Sequence, residues 1–230
     1  MTAKIVTVFN QKGGSGKSTI TMQLAGTMAH RGYQTLVVDM DPQGTSSRWA
    51  SAAEDDHPFP ASVMSLAAMG GKMHREVKNH VDHYDVIFID CPPSIDSQAP
   101  SSAMLISDLA LIPVVPSPAD SWATVAAKQL VEQARIHNED LQARIVANMV
   151  QSNSKLAKAI LEVLAEDEDC PMLQAQLGSR SAFRECQLRG GTVHSVPASL
   201  SKSAVEETET LTNEVLAILS LKPTKKGSKK

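Results

Sequence analysis

One segment constrains this chain more than any other: Gln11-Lys12-Gly13-Gly14-Ser15-Gly16-Lys17-Ser18-Thr19, set between an apolar run, Ile5–Phe9, and a helical pattern that starts at Lys17. Glycines let successive backbone N–H groups turn inward, and a helix N-terminus adds the positive end of its dipole, so this junction makes a phosphate cradle. In it Lys17 is expected to reach the β- and γ-phosphates of ATP, and Ser18 to offer its hydroxyl to Mg2+, with the backbone of Gly13, Gly14, Ser15, Gly16 and Thr19 around them. Other β-branched runs alternate with helical patterns downstream. Thr35–Asp39, Val86–Asp90, Leu109–Val115 and Arg144–Val150 read as strands, and Met172–Leu177 is a weaker sixth. The central runs are apolar throughout, which buries both faces. The expected fold is α/β: a single-domain, doubly wound, mostly parallel sheet with helices on both sides.

Lys17–Arg31 carries Ile20, Leu24, Ala25, Met28 and Ala29 on one face and reads as an amphipathic helix ending before Gly32. Ser51–Pro60 reads as a surface loop. Ser203–Leu219 reads as a last helix docked on the body. The domain is expected to span 1–221, followed by a basic, disordered tail at 222–230. Aromatic residues are only 3% of the 230, so aliphatic side chains and Met must fill the core. Net charge is −3, and without the five lysines of 222–230 the rest stands at −8, so an anionic partner must meet a local patch or the tail. Cys91, Cys170 and Cys186 have no CxxC spacing. That suits a reducing cytoplasm, as does the lack of a signal-peptide pattern, and Leu109–Val115 is too short to span a bilayer.

The usual phosphate loop opens on a glycine; here Gln11 stands in that place and Lys12 follows. This deviant pattern resembles the ParA/MinD family of P-loop ATPases. The resemblance implies that Lys12 is the signature lysine, which crosses an ATP-dependent homodimer interface to the partner's nucleotide, much as an arginine finger does. LVVDMDPQG at Leu36–Gly44 is similar to the segment of the ParA branch in which Asp41 would position the attacking water and Asp39 would support the Mg2+ shell. Capping of the following helix stays open for either aspartate. YDVIFIDCPP at Tyr84–Pro93 looks like the second acidic motif, with Asp90 holding Mg2+ through water and Pro92 and Pro93 stiffening a γ-phosphate sensor. IPVVPSPAD at Ile112–Asp120 resembles a proline-rich segment of the small plasmid-partition ParA proteins, which implies a place near the nucleotide and the dimer face. Asn148 falls where the family often reads the adenine edge, and Arg180 in a comparable later loop; an ordinary polar loop role stays open for both.

The resemblance covers most of the chain and implies a slow, partner-stimulated ATPase that partitions or positions a cargo: a plasmid, a chromosome region or a large protein assembly. A ParB-like or other small adaptor would stimulate it, and its dimer would coat nucleoid DNA without sequence preference. Arg184, Arg189 and Lys202 are the candidate phosphate contacts, with Arg180 on the same helix face as Arg184; a scattered solvated face is the alternative. A MinD-like membrane ATPase would need a terminal amphipathic helix, and the tail shows bases with no apolar face. An iron–sulfur carrier needs paired thiolates, which the three cysteines do not offer. A non-hydrolysing scaffold would not need Lys12, Lys17, Asp41 and Asp90 together. His80 and His83 lack a third metal ligand. Glu166–Asp169 reads as a solvated loop, Cys91 as a buried thiol, and Met64, Met69 and Met73 as gap fillers.

Overall fold

The computed structural model describes residues 2–93, 97–151 and 153–222. Most of the expected basic tail, residues 223–230, lies outside the described residues. At the centre is a parallel sheet of 7 strands: β1 (Lys4–Val8), β2 (Thr35–Asp39), β3 (Ser62–Ser65), β4 (Val86–Asp90), β5 (Leu109–Val114), β6 (Gln142–Val150) and β7 (Met172–Gly178). Their order is β3-β2-β4-β1-β5-β6-β7. The chain leaves β1 toward one edge, returns to β4, then crosses to β5 and the other edge. That reversal puts a crevice at the carboxyl ends of β4, β1 and β5, where such sheets bind ligands.

Among the described residues eight α-helices occur, in chain order: α1 (Lys17–His30), α2 (Thr45–Ser51), α3 (Met73–Lys78), α4 (Ala99–Met104), α5 (Pro118–Arg135), α6 (Lys155–Ala165), α7 (Ser181–Arg189) and α8 (Ala198–Ile218). Neighbouring residues of a strand point to opposite faces, and two buried clusters result. Val6, Val8 and Phe88 pack with α1, α7 and α8, whereas Ile5, Ile87 and Ile89 pack with α3, α4, α5 and α6. The doubly wound parallel sheet expected from the apolar runs is the fold observed.

Three elements depart from the sequence reading. β3 was not expected: SVMS is a four-residue edge strand whose existence depends on its pairing with β2, Leu36 opposite Ser62 through Asp39 opposite Ser65. The second is α1, which is buried far beyond one apolar face: Thr21, Gln23, Gly26 and Thr27 are also buried. Its outer side is covered by α8 and by the turn Val193–Ser195. Gln23 Oε1 accepts the Val193 amide at 2.9 Å, and a Cβ on Gly26 would sit 2.3 Å from Thr192 Cγ2. α8 starts at Ala198, five residues before the expected Ser203, and its carboxylates cover the open edge of β7. Glu214 accepts the Gln174 and Ala175 amides at 3.0 and 2.7 Å, and Glu207 accepts that of Gly178 at 2.9 Å.

Candidate functional site

The crevice is built around the loop after β1. Asn10 closes that strand fully buried, donates Nδ2 to the Pro113 carbonyl at 2.7 Å and accepts the Lys12 amide at 3.0 Å. Gly14 and Gly16 hold φ of +78° and +89°, a region costly for any side chain, which turns the loop before α1 begins. Asn148, at the end of β6, donates Nδ2 to the Ser15 carbonyl at 2.8 Å, and a Cβ on Gly16 would lie 2.0 Å from that nitrogen. Asn148 therefore pins the loop. Gly13 and Gly14 are exposed, and Ser18 and Thr19 half-buried, so the cradle faces solvent.

Lys17 is buried, and Nζ donates to the Lys12 carbonyl at 3.0 Å. Burial pushes its pKa down, against the opposing pull of Asp90, Cys91 and Asp41. Lys12 has a different partner. Its Nζ pairs with Asp120 Oδ2 at 2.6 Å, while Asp120 itself is 1% exposed. The Lys17 amine thus rests on the Lys12 carbonyl, and the Lys12 amine on the Asp120 carboxylate.

Asp90 ends β4 with no exposure. Oδ2 accepts from Ser46 Oγ at 2.7 Å, and Oδ1 has no hydrogen-bond partner. Burial raises its pKa to about 7, with the Ser46 and Ser18 hydroxyls pulling it back, Asp39 raising it further and Lys17 lowering it. Asp39 ends β2, and both its oxygens are taken: Oδ1 by the Asp41 amide at 3.1 Å, Oδ2 by the Ser47 amide and hydroxyl at 2.8 Å each. Of the two readings left open for Asp39, capping of α2 is the contact displayed. Asp41 is half-buried in the next turn, where Oδ1 accepts the Gln43 amide at 2.9 Å. Pro93 approaches the loop, 3.9 Å from where a Gly13 Cβ would be.

These contacts bring Lys12, Lys17, Ser18, Asp39, Asp41, Asp90 and Asn148 to one end of the sheet. A glycine cradle, a hydroxyl at the first turn of α1 and a buried carboxylate with an unpartnered oxygen suit a triphosphate and a hydrated Mg2+. Asn10, Ser46 and Asp120 belong to the same end; Asn10 and Ser46 were not singled out from sequence, and Asp120 only as the last residue of the proline-rich segment. Arg180 is set apart. It precedes α7, and its guanidinium pairs with Glu207 at 2.5 Å, so it does not share a helix face with Arg184. Arg189 pairs with Glu185 at 2.8 Å, while Arg184 and Lys202 are exposed. His80 Nε2 lies 3.4 Å from Glu76, and among the described residues no group of three or more His, Cys, Asp or Glu could hold a metal. No helix among them is long and apolar enough to cross a membrane.

Residues 6–193 match the family model for the CobQ/CobB/MinD/ParA nucleotide binding domain. The chain is 32% identical over 209 residues to Maintenance of carboxysome distribution protein A of Halothiobacillus neapolitanus, covering 91% of this chain and 94% of that one. It is 26% identical over 211 residues to Protein ParA of Rhizobium radiobacter, covering 89% and 92%. Among solved structures, the cell division ATPase MinD of Pyrococcus furiosus superposes with a TM-score of 0.70 at 22% identity, covering 92% of this chain and 99% of that one. The fold, the glycine loop with its two lysines and the span of the family match agree: this chain belongs to the CobQ/CobB/MinD/ParA nucleotide-binding family, as a P-loop ATPase of the ParA/MinD type.

Proposed function

We propose that this ATPase is a dimerising switch that positions a cargo along DNA. ATP with Mg2+ supplies the transferable phosphoryl group and the metal charge that offsets its negative oxygens. The loop from Gly13 to Thr19 binds the phosphates through its amides, and Lys17 exchanges the Lys12 carbonyl for phosphate oxygens. Ser18 and Asp90 would hold Mg2+, Asp90 through water, and the metal would supply positive charge beside the phosphates. Asp39 fixes α2 behind them, and Asp41 orients the attacking water. Asn148 keeps the loop in register; a contact from Asn148 or Arg180 to adenine is not needed for this account.

The observation that carries the switch is Lys12. It is a second lysine in the loop, its side chain 38% exposed and its amine paired with Asp120. Such a cation adds little to binding ATP in one subunit. It is suited to a second subunit's triphosphate, where closely approaching phosphates repel and excluded water strengthens the attraction. Non-specific DNA contact through Arg184 and Lys202, doubled in a dimer, would be strongly salt-dependent. A small adaptor protein would stimulate hydrolysis and end the dimer. The likeness to a carboxysome distribution protein over almost the whole chain favours a large protein body as cargo over a plasmid.

The test is light scattering with a non-hydrolysable ATP analogue. Lys12→Ala is expected to bind nucleotide as a monomer yet lose the dimer, and with it DNA retention. Dimerisation and turnover at wild-type level in that variant would remove the switch.

A further inference from the structure

Asp120 is a carboxylate whose surroundings do not balance. It is 1% exposed and sits in the first turn of α5. Oδ2 meets Lys12 Nζ at 2.6 Å and the Ser117 hydroxyl, while Oδ1 is buried with no hydrogen-bond partner among the described residues. Lys12 is thus the one ammonium paired with it among the described residues. A buried carboxylate that loses its cation is strongly disfavoured, because water cannot replace the lost charge. Lys12 is the accessible member: its side chain is 38% exposed and leaves a glycine-rich loop.

Resting on the dimerising-switch reading above, we propose that Asp120 is the positioning residue for Lys12, holding its amine in cis until a second nucleotide-loaded copy of the chain takes it. Two contacts at Lys12 make the release stepwise. Its carbonyl holds Lys17 at 3.0 Å and its side chain is held by Asp120. ATP in the same subunit draws Lys17 off the carbonyl but leaves Lys12 on Asp120. Only the triphosphate of a facing copy offers Lys12 an alternative that outweighs a buried carboxylate. An ATP-loaded monomer therefore stays closed, and the dimer forms only when both copies are loaded. The cost of stripping Asp120 sets the protein concentration at which this happens.

The experiment compares wild type, Asp120→Asn, Lys12→Ala and the double variant by analytical ultracentrifugation with AMPPNP and Mg2+, beside nucleotide affinity measured well below the dimerisation concentration. Asp120→Asn keeps the shape and removes the charge. It is expected to dimerise at a protein concentration roughly threefold or more below wild type, with monomer nucleotide affinity unchanged. Asp120→Glu should restore most of the wild-type threshold. In the Lys12→Ala background the Asp120→Asn change should have no effect. A merely structural Asp120 would instead weaken the dimer or move nucleotide affinity, and either result overturns the proposal. If Lys12→Ala dimerises like wild type, the switch reading fails; if it does not, and Asp120→Asn matches wild type, only the role of Asp120 fails. Should Asp120→Asn not fold, amine labelling of the wild-type, nucleotide-free chain decides. Lys12 must label far more slowly than exposed Lys72, and equal rates refute the hold.

Discussion

The nucleotide end of the sheet and the seam between α1 and α8 are both rich in buried polar groups, but they treat them differently. At the seam the charged groups are matched within the chain. Arg31 meets Glu209 and Asn213, and Glu214 and Glu207 cap amides of β7. The buried atoms left without a partner there are neutral: Thr21 Oγ1, Gln23 Nε2 and Thr208 Oγ1. At the nucleotide end the unpartnered atoms are carboxylate oxygens, on Asp90 and Asp120, and a buried ammonium rests on a carbonyl. A neutral orphan costs about 1–3 kcal/mol, whereas an ionised one costs more, enough to call for a charge from outside. The seam is complete as it stands; the nucleotide end is built to be completed.

The sharpest way to break that contrast is Lys17→Ala. It removes the main side-chain cation of the cradle and is expected to abolish tight ATP binding, read by calorimetry. It also removes a buried ammonium that burial already disfavours, so the melting temperature of the nucleotide-free protein should hold or rise. Wild-type affinity would contradict the loop assignment, and a large loss of stability would make Lys17 part of the fold.

Gly26→Ala probes the opposite region. The added Cβ would sit 2.3 Å from Thr192 Cγ2 and 3.2 Å from Phe59 Cζ, against a β-branched side chain and an aromatic ring. Overpacking of this kind costs about 1–3 kcal/mol. Urea unfolding should show that loss while monomer ATP affinity stays at wild type. A variant that melts normally but binds ATP poorly would mean that the two regions are not separate.

Asp41→Ala has a smaller expected effect, confined to chemistry. The variant should bind ATP and dimerise, with stimulated turnover at least about tenfold slower, a barrier change of about 1.4 kcal/mol. Turnover within about twofold of wild type would leave Asp41 as a turn residue that accepts the Gln43 amide.

Legibility from sequence followed the same division. Thr35–Asp39 and Val86–Asp90 match β2 and β4 end for end, because a strand buried on both faces writes itself as an unbroken apolar run. The loop was legible because glycine spacing encodes backbone geometry locally. The proline-rich segment was legible by resemblance, but the pairing of its last residue, Asp120, was not, since it is a contact with Lys12 across 108 positions. Ser46 and Asn10 are likewise defined by what they meet, Asp90 and Pro113. β3 was missed because a four-residue edge strand bounded by serines has no pattern of its own. The burial of α1 was underestimated for a related reason. Thr21, Gln23 and Thr27 read as an outer polar face until α8 and Val193–Ser195 cover them.

The smallest expected effect concerns the one part of the seam that is not fully at rest. His30 and His194 meet edge to face with ring centroids 5.5 Å apart. Thr192 Oγ1 reaches His30 at 3.4 Å, and Thr27 Oγ1 reaches His194 at 3.2 Å. The charged groups near them are Glu209, 3.2 Å from His194, and Arg31, which shares that carboxylate. Both imidazoles have lowered pKa values. For His30 burial leads, followed by the His194 charge, with Glu209 opposing; for His194 burial leads, Glu209 opposes and Arg31 adds. A histidine with a lowered folded pKa binds fewer protons folded than unfolded, so stability is full above the unfolded pKa and falls as pH drops through it toward the folded one. Asp90 works in the opposite sense: its raised folded pKa, about 7, lowers stability as pH rises from the ordinary carboxylate range toward that value. The wild-type curve therefore mixes two signs, and only a difference isolates the histidines. His30→Gln with His194→Gln should shrink the loss of melting temperature between neutral pH and about pH 5 by a few degrees. It should leave ATP affinity at neutral pH alone. A wild-type pH profile in the double variant would mean that the seam tolerates both imidazolium charges, and the contrast between a settled seam and an unsettled nucleotide end would then extend to every charged group on the seam.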